Sequence, residues 1–223
     1  MSAISLNSLS FSWPGEPAPT LHIETFDLGA GENVLLRGPS GSGKSTLLSA
    51  IAGVIDVGPG AVQVAGTDIG GLAGGNRDRF RVDHLGIIFQ VFNLLPWLTA
   101  VENTLLPCRF SARRRDRAGP DPAATATRLL AELGLTDDAL LAKPARTLSV
   151  GQQQRVAAAR ALIGAPEVVL ADEPTSALDE AAKGAFVELL LKECADVGAG
   201  LLFVSHDASL ATHFDRTVDL AEL

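Results

Sequence analysis

The chain has 223 residues, a formal net charge of -8 and a hydrophobic content of 47%. A chain of this length can bury about 70% of its unfolded surface without disulfides, and its apolar content excludes a disordered protein. The acidic balance also argues against a general nucleic-acid binder, which normally presents a basic face.

Cysteine usage and the apolar runs narrow the class of protein further. Cys108 and Cys194 are far apart and outside any C-x-x-C spacing, so the sequence indicates reduced thiols rather than a metal or redox site. No apolar run reaches the ~18–20 residues that cross a bilayer. The first six residues lack the basic and apolar regions of a secretion signal. We therefore expect a soluble protein inside the cell.

The first 30 residues have a strand pattern. Residues 3–9 and 20–28 alternate apolar and polar side chains, as half-buried antiparallel strands do. Residues 61–66 follow a glycine-rich turn and form another strand pattern, so a small antiparallel sheet is predicted. Trp13 lies in the turn between the first two strands, where its indole either stacks on a purine ring or is partly buried in the turn.

The segment 38–46 matches the pattern G-x-x-x-x-G-K-S, the P-loop. It lies between an apolar run suited to a buried strand, residues 33–37, and a helical pattern over residues 47–52. Its glycines let successive N–H groups point into one hollow at a helix N-terminus, which suits a polyphosphate. The predicted ATP-binding residues here are Gly38, Pro39, Ser40, Gly41, Ser42, Gly43, Lys44, Ser45 and Thr46.

Two of these side chains have specific roles in a P-loop. Lys44 can reach the β- and γ-phosphates, and the Ser45 hydroxyl can ligate Mg²⁺. An ordinary glycine-rich turn is the alternative interpretation of the segment. A dinucleotide-binding fold is disfavoured, because no G-x-G-x-x-G follows a strand in this chain.

Residues 76–90 predict a short charged surface helix, over 76–83, and then a buried strand over 85–89. Gln90 ends this strand, so its amide either reaches a site at the carboxyl edge of the sheet or lies on the surface.

Residues 91–144 predict a helical insertion, because prolines divide the segment into short helical stretches. The clearest helix runs from Asp121, a suitable N-cap, to Gly134. The only strong positive run is Arg113–Arg117. We expect it to be a solvated loop, with contact to anionic lipid head groups or an acidic partner as the alternative.

The last third of the chain predicts two more strands that end in polar side chains. Residues 168–171 are apolar and precede Asp172, which can hold Mg²⁺, and Glu173, which can polarise an attacking water. Residues 201–207 predict another buried strand, which ends in the polar triplet 205–207, and His206 of this triplet could donate to a γ-phosphate. 

Two helices flank the first of these strands. Ser149 is a suitable N-cap for a helix that runs to Leu162, and its start can bind an anion if it is exposed. The other helix is expected to start within Ser176–Asp179 and to run to about Val197.

Taken in order, these motifs resemble the nucleotide-binding subunits of ABC transporters over nearly the whole chain. The matching features are the P-loop, Gln90, the signature 148–152 (LSVGQ), Asp172-Glu173, residues 176–179 (SALD) and His206. The signature separates this family from other P-loop ATPases. The resemblance favours adenine stacking by Trp13, with Phe11 as the fallback.

The resemblance implies an α/β fold: a P-loop NTPase, RecA-like core with an antiparallel β subdomain and a helical subdomain. We expect one ABC ATPase domain, with residues 1–90 forming the β subdomain and the first part of the core. Residues 91–148 would form the helical subdomain, and residues 149–223 the signature helix and the rest of the core.

The resemblance also implies a mechanism in two subunits that sandwich two ATP molecules with Mg²⁺. Ser149, Gly151 and Gln152 would contact the ATP on the partner's P-loop, and Asp179 would align the facing site. Glu173 would be the general base and Lys44 a catalytic phosphate ligand. Gln90 and His206 would sense the γ-phosphate, and the metal would be held by Ser45, Gln90 and Asp172.

The signature departs from the family at Val150, where glycine is usual. The two positions expected to approach phosphate, Ser149 and Gly151, are retained. A β-branched residue restricts the loop, so ATP-driven closure could be weaker than usual.

A narrower resemblance follows Gln90. Residues 92–96 (FNLLP) and 98–103 (LTAVEN) are similar to the branch that serves lipoprotein release and macrolide export. This similarity implies an export system, a membrane permease as partner, no nucleic acid, and a peripheral location at the cytoplasmic face of the inner membrane. Phe92, Leu94, Leu95 and Trp97 could line the groove for the permease, although some of them must be core.

Two rival functions stay open. One is a soluble ABC ATPase that acts on DNA, ribosomes or iron–sulfur assembly. The absence of an inserted coiled coil, a tandem repeat or a basic charge disfavours it. The other is a non-catalytic nucleotide-binding module, which the joint presence of Lys44 and Glu173 disfavours.

Overall fold

The computed structural model describes residues 2–223, apart from the side chains of residues 180 and 181. The strands are β1 (Ser2–Phe11), β2 (Leu21–Gly29), β3 (Asn33–Arg37), β4 (Val62–Val64), β5 (Thr67–Asp68), β6 (Leu85–Ile88), β7 (Val168–Asp172), β8 (Gly200–Val204) and β9 (Arg216–Asp219). The helices are α1 (Lys44–Ile51), α2 (Gly74–His84), α3 (Ala100–Thr104), α4 (Leu106–Phe110), α5 (Ala112–Arg117), α6 (Pro122–Glu132), α7 (Asp138–Leu141), α8 (Val150–Leu162) and α9 (Glu180–Val197).

The core is a five-stranded parallel sheet in the order β6-β7-β8-β3-β9. Its inner strands are continuous apolar runs, because helices or a second sheet cover both faces. Alternate residues of one strand enter different hydrophobic clusters: Leu35 packs with the helices, whereas Val34 and Leu36 pack toward the second sheet. The carboxyl ends of β3, β6, β7 and β8 therefore meet at one edge of the sheet.

The second sheet is antiparallel, in the order β2-β1-β4-β5. The predicted inward residues Ile4, Leu6 and Leu9 are buried, while Asn7, Ser8 and Ser10 are exposed. The predicted strand over 61–66 is shorter, because Ala65 and Gly66 have φ of 46° and 76° and form the turn into β5.

The predicted helical stretches are present between residues 100 and 141, as helices α3–α7. Asp121 is the N-cap of α6, accepting from the backbone N–H groups of Ala123 and Ala124 at 3.0 Å. Thr99 and Glu102 form a capping box at the start of α3. The subdomain limits at residues 90 and 148 stay a prediction.

The expectation that Arg113–Arg117 is a solvated loop is wrong, because these residues belong to helix α5. Arg114 is 1% exposed and donates to the carbonyls of Ile163, Leu85 and Ala161 at 2.5, 3.1 and 2.6 Å. These three carbonyl groups lie at the end of α8 and at the start of β6, and each can accept a further hydrogen bond. The buried guanidinium therefore finds protein acceptors in place of the water that it loses on burial. Burial lowers the pKa of Arg114 to about 10.

The helix predicted to start within Ser176–Asp179 begins later, at Glu180. Asp179 is its N-cap and accepts from the backbone N–H of Ala182 at 2.9 Å. A side chain that caps a helix lies outside it, so residues 176–179 form the loop between β7 and α9.

Cys108 and Cys194 are both buried free thiols. Burial raises the pKa of Cys108, and it raises the pKa of Cys194 to about 12. Within residues 2–223, no helix combines the length and apolar character needed to cross a membrane.

Candidate functional site

A cavity of about 660 Å³ opens at the carboxyl edge of the parallel sheet. It brings together most of the residues that the sequence motifs single out. Those that line it are Trp13, Ser40, Gly41, Gly43, Lys44, Ser45, Thr46, Gln90, Asp172, Glu173 and His206. The topology explains the convergence, since strands β3, β6, β7 and β8 each end at this edge.

The P-loop connects β3 to α1, which begins at Lys44. Gly43 has φ of 99°, and a Cβ there would lie 2.9 Å from the Thr20 carbonyl oxygen, so only glycine fits. Gly38 and Pro39 do not line the cavity, but their carbonyls each accept from Lys44 Nζ at 2.8 Å. Ser42 is also outside the lining, with its hydroxyl buried beside Gly38.

Asp172 ends β7 as a half-buried carboxyl group. Burial raises its pKa above the ordinary value, and the Glu173 charge adds to the rise, while Ser45 and Lys44 oppose it. Its Oδ1 is buried and has no hydrogen-bond partner among the described residues. An unpartnered carboxylate oxygen next to a serine hydroxyl and the amide of Gln90 is a donor set that suits Mg²⁺.

Glu173 has a left-handed backbone, with φ of 45°. Its N–H donates to the Val204 carbonyl at 3.1 Å, which ties the turn to strand β8. Its carboxylate lies 2.9 Å and 3.1 Å from Nδ1 of His206. A non-glycine residue in this conformation is uncommon, and such strain persists where the surrounding structure fixes the side chain at a functional site.

Trp13 stands at the mouth of the cavity, 43% exposed. Its ring makes an edge contact with Phe11, at 5.0 Å between centroids and 89° between planes. Phe11 thus supports the indole. The exposed part of the Trp13 side chain can meet a flat ligand.

Two residues that the motifs did not indicate also line the cavity, Glu16 and Thr20, and Ser176 of the motif 176–179 lines it as well. Thr20 donates to Glu16 Oε2 at 2.7 Å, and the Glu16 N–H donates to the Trp13 carbonyl at 3.1 Å. Their only sequence signal is position, since they lie between the exposed aromatic and the start of β2.

A second cavity, of about 250 Å³, lies at the start of α8. Ser149, Gly151 and Gln152 line it, and no residue is common to the linings of the two cavities. Ser149 and Gln152 form a capping box, with N–H to side-chain distances of 2.9 and 3.3 Å. Val150 projects outward there, 49% exposed, and Asp179 lies next to Leu178 of the lining.

The P-loop after β3 and the acidic pair at the end of β7, with β8 between the two strands, define a P-loop nucleoside-triphosphatase fold. The ABC transporter family profile matches residues 21–176. The chain is 44% identical over 214 residues to the lipoprotein-releasing system ATP-binding protein LolD of Novosphingobium aromaticivorans, covering 96% of this chain and 92% of the relative. It is 37% identical to the macrolide export ATP-binding/permease protein MacB of Rhodopseudomonas palustris, covering 99% of this chain and 33% of that protein.

Solved structures agree with the sequence relatives. The dimeric bacterial ABC transporter cassette MJ0796 superposes with a TM-score of 0.82 and 33% identity, over 97% of this chain and 93% of that one. The same cassette solved in a post-hydrolysis state, bound to ADP and Pi, gives a TM-score of 0.81 and 32% identity over the same shares of the two chains. The chain belongs to the ABC transporter family, in which it is an ATPase subunit.

Proposed function

We propose that this ATPase drives an export permease by closing as a dimer around two MgATP molecules. The observation that supports this most directly is the cavity in which Lys44, Asp172, Glu173 and His206 converge. The names of the relatives, lipoprotein release and macrolide export, favour export as the direction.

Hydrolysis is attack of water on the γ-phosphate, with catalysis resting on positioning and charge neutralisation. The P-loop N–H groups and Lys44 hold the phosphates, and Lys44 exchanges its carbonyl acceptors for phosphate oxygens when ATP binds. Glu173 accepts the proton of the attacking water. His206 Nδ1 contacts the Glu173 carboxylate in the nucleotide-free chain, and the imidazole turns to donate its N–H to the γ-phosphate when ATP binds. Trp13 stacks on the adenine.

Ser45, Gln90 and Asp172 would hold the Mg²⁺ that accompanies ATP. The buried, unpartnered Oδ1 of Asp172 supports this assignment. Held by these residues, Mg²⁺ would supply positive charge that offsets the negative charge of the phosphate oxygens.

The dimer is proposed because one chain carries two half-sites apart from each other. Ser149, Gly151 and Gln152 line their own cavity, so each chain would present them to the ATP held on its partner's P-loop. Asp179, at the N-terminus of α9, would align the facing site. The solved dimer of the similar cassette supports this arrangement.

The membrane subunit would dock on exposed apolar residues near Gln90. Val91 is 81% exposed and Trp97 is 64% exposed, whereas Phe92 is buried in the core. A small cavity of about 80 Å³ has Val54 and Phe89 on its lining together with Ser45 and Asp172. A permease that contacts Val54 and Phe89 could therefore change the positions of Ser45 and Asp172, the proposed magnesium ligands. The protein would sit at the cytoplasmic face of the inner membrane.

Glu173→Gln is the experiment that tests the proposal. Turnover in a phosphate-release assay should fall about 10²–10⁴-fold, because glutamine cannot accept the proton. ATP binding, measured by equilibrium titration, should be retained. Near-normal turnover would show that the base assignment is wrong.

A soluble ABC ATPase not coupled to transport is the second candidate. Purification of the protein from its own cells at low detergent distinguishes the two: a membrane permease should co-purify. Co-purification with nucleic acid or ribosomes instead would favour the second candidate.

A further inference from the structure

The strongest concentration of positive charge in the chain is at helices α4 and α5. Residues 106–119 contain five arginines and one aspartate, a formal charge of +4, in a chain whose net charge is -8. The remainder of the chain therefore carries -12. Such a local reversal of sign gives this surface a field opposite to that of the rest of the molecule.

Four of the five arginines point outward. Arg114 is the buried one, and Arg109, Arg113, Arg115 and Arg117 are exposed. We call these four arginines together with Phe110 the arginine patch. Phe110 is 75% exposed, so a large apolar ring stands among the guanidinium groups.

The patch is held in place. Arg114 anchors α5 through three hydrogen bonds to buried carbonyls, and Ser111 caps the helix while its hydroxyl donates to Asp83. The exposed arginines therefore keep their spacing, and a binding partner does not have to order a loose segment.

The charge of the patch is only partly balanced by the protein. Arg113 and Arg117 share the carboxylate of Glu167. Among the side chains that the structure describes, no carboxylate lies within ion-pair distance of Arg109 or Arg115. These two side chains are available to an external anion.

We propose that the arginine patch binds the anionic phospholipid surface of the membrane, with Phe110 entering the head-group region. Charge complementarity favours this partner: guanidinium groups fork onto phosphate oxygens, and an aromatic ring among cations is typical of interfacial contacts. The inference rests on the proposed peripheral role at the membrane. Lipid binding by the patch would be a second contact of the ATPase with the membrane, in addition to the permease. A weak interaction is then enough to raise the local concentration of the ATPase near the permease.

The test uses the full chain and vesicles of phosphatidylcholine, with or without about 30% phosphatidylglycerol, in a flotation assay. Binding should require the anionic lipid and should fall steeply between 50 mM and 500 mM salt, since surface charges are screened within ~10 Å at 0.1 M. Each arginine near such a surface contributes about fivefold to partitioning. Arg109→Gln with Arg115→Gln should therefore weaken binding by about 25-fold.

The matched control is Lys143→Gln with Arg146→Gln, which removes the same charge at exposed positions outside the patch. It should bind vesicles like the wild type. Phe110→Ser should weaken binding at both salt concentrations, because its contribution is not electrostatic.

Equal binding of the wild type to neutral and anionic vesicles would overturn the inference, and so would equal binding of the Arg109/Arg115 variant and the control. The patch lies outside the nucleotide cavity, so phosphate release by the variant should match the wild type and report correct folding. Vesicle binding without ATPase activity in the wild type would count against the proposed function and leave the inference standing.

Discussion

At the scale of single residues, the two adjacent acids of the site occupy different environments. Asp172 is half-buried, with Oδ1 lacking a partner among the described residues and with a raised pKa. Glu173 has a histidine on its carboxylate and a left-handed backbone. One carboxylate is thus prepared for a cation, while the other is oriented for proton transfer.

Asp172→Asn should stabilise the nucleotide-free protein. Burial raises the pKa of Asp172 in the folded chain, so ionising this carboxyl group costs folding free energy once the pH is above its unfolded value, and the neutral amide removes that cost. The melting temperature should rise by about 2–4 °C for each kcal/mol relieved. The additional rise that MgATP gives the wild type should be lost.

Differential scanning fluorimetry with and without MgATP measures both effects. Asp138→Asn, an exposed aspartate outside the site, is the control and should change neither. A lower melting temperature for the Asp172 variant without nucleotide would contradict the electrostatic argument.

Val150 is the residue at which the signature departs from its family, and its exposed side chain lies between Ser149 and Gly151, which both line the second cavity. Val150→Gly should strengthen ATP-dependent dimerisation, because the β-branched side chain limits how the loop adapts to a phosphate. Gel filtration of the double variant Val150→Gly/Glu173→Gln, with and without MgATP, measures this dimerisation. Val150→Ala removes the β-branched side chain without the backbone freedom of glycine, and so separates the two effects. An unchanged fraction of dimer in the glycine variant would show that Val150 does not limit dimerisation.

At the scale of elements, Glu167 joins three parts of the chain. Its carboxylate meets His84 at the end of α2 at 3.1 Å, Arg117 of α5 at 2.7 Å, and Arg113. Burial opposes ionisation, but the hydrogen bonds from His84, Arg113 and Arg117 outweigh it and lower the pKa of Glu167 to about 2. The helical segment is therefore attached to the parallel sheet through charge as well as apolar packing.

Glu167→Gln should destabilise the protein by about 1–3 kcal/mol at pH 7, since charge-assisted hydrogen bonds are lost. A lowered pKa means that the contribution is present above the ordinary value of 4.5 and disappears as the pH falls toward 2. The difference in the free energy of unfolding between the variant and the wild type should thus be constant from pH 7 to 5 and should become smaller below pH 5.

Urea unfolding at pH 7, 5 and 4 measures this dependence. Glu24→Gln, which removes the exposed partner of His22, should cost less than about 1 kcal/mol. A penalty for Glu167→Gln that grew as the pH fell would contradict the assignment.

The sequence predicts well those elements whose residues carry a local pattern. The apolar runs of β7 and β8 and the cap at Asp121 correspond to the observed elements. Helix α5 was missed because its arginines look solvated, and the carbonyls that hold Arg114 are 29 to 49 positions away in the chain. Glu16 and Thr20 were missed for the same reason, because only the folded P-loop brings them to the cavity.

At the scale of the whole molecule, the P-loop cavity and the signature cavity are separate regions of one chain. If both cavities must contact the same ATP, two copies of the chain have to combine. Each copy then contributes its signature cavity to the ATP in its partner's P-loop cavity and receives the partner's signature cavity in return. In the proposed sandwich, a variant with a defective P-loop and a variant with a defective signature therefore form one intact site when they pair.

Lys44→Ala and Ser149→Glu should each abolish ATPase activity alone, the first by losing the phosphate ligand and the second by placing a negative charge against phosphate. An equimolar mixture should regain about one quarter of the wild-type rate, because half of the dimers are mixed and each has one intact site. Phosphate release by the mixture measures this. Activity of the mixture no greater than that of either variant would count against shared sites.

The two native thiols give this ATPase a practical advantage in spectroscopy. Cys108 and Cys194 are buried, and their raised pKa values keep them as unreactive thiols at neutral pH. A single cysteine introduced on the surface can therefore carry a fluorescent label while the native pair stays in place. Energy transfer between labelled subunits would then follow closure and reopening during each turnover, in an otherwise unaltered protein.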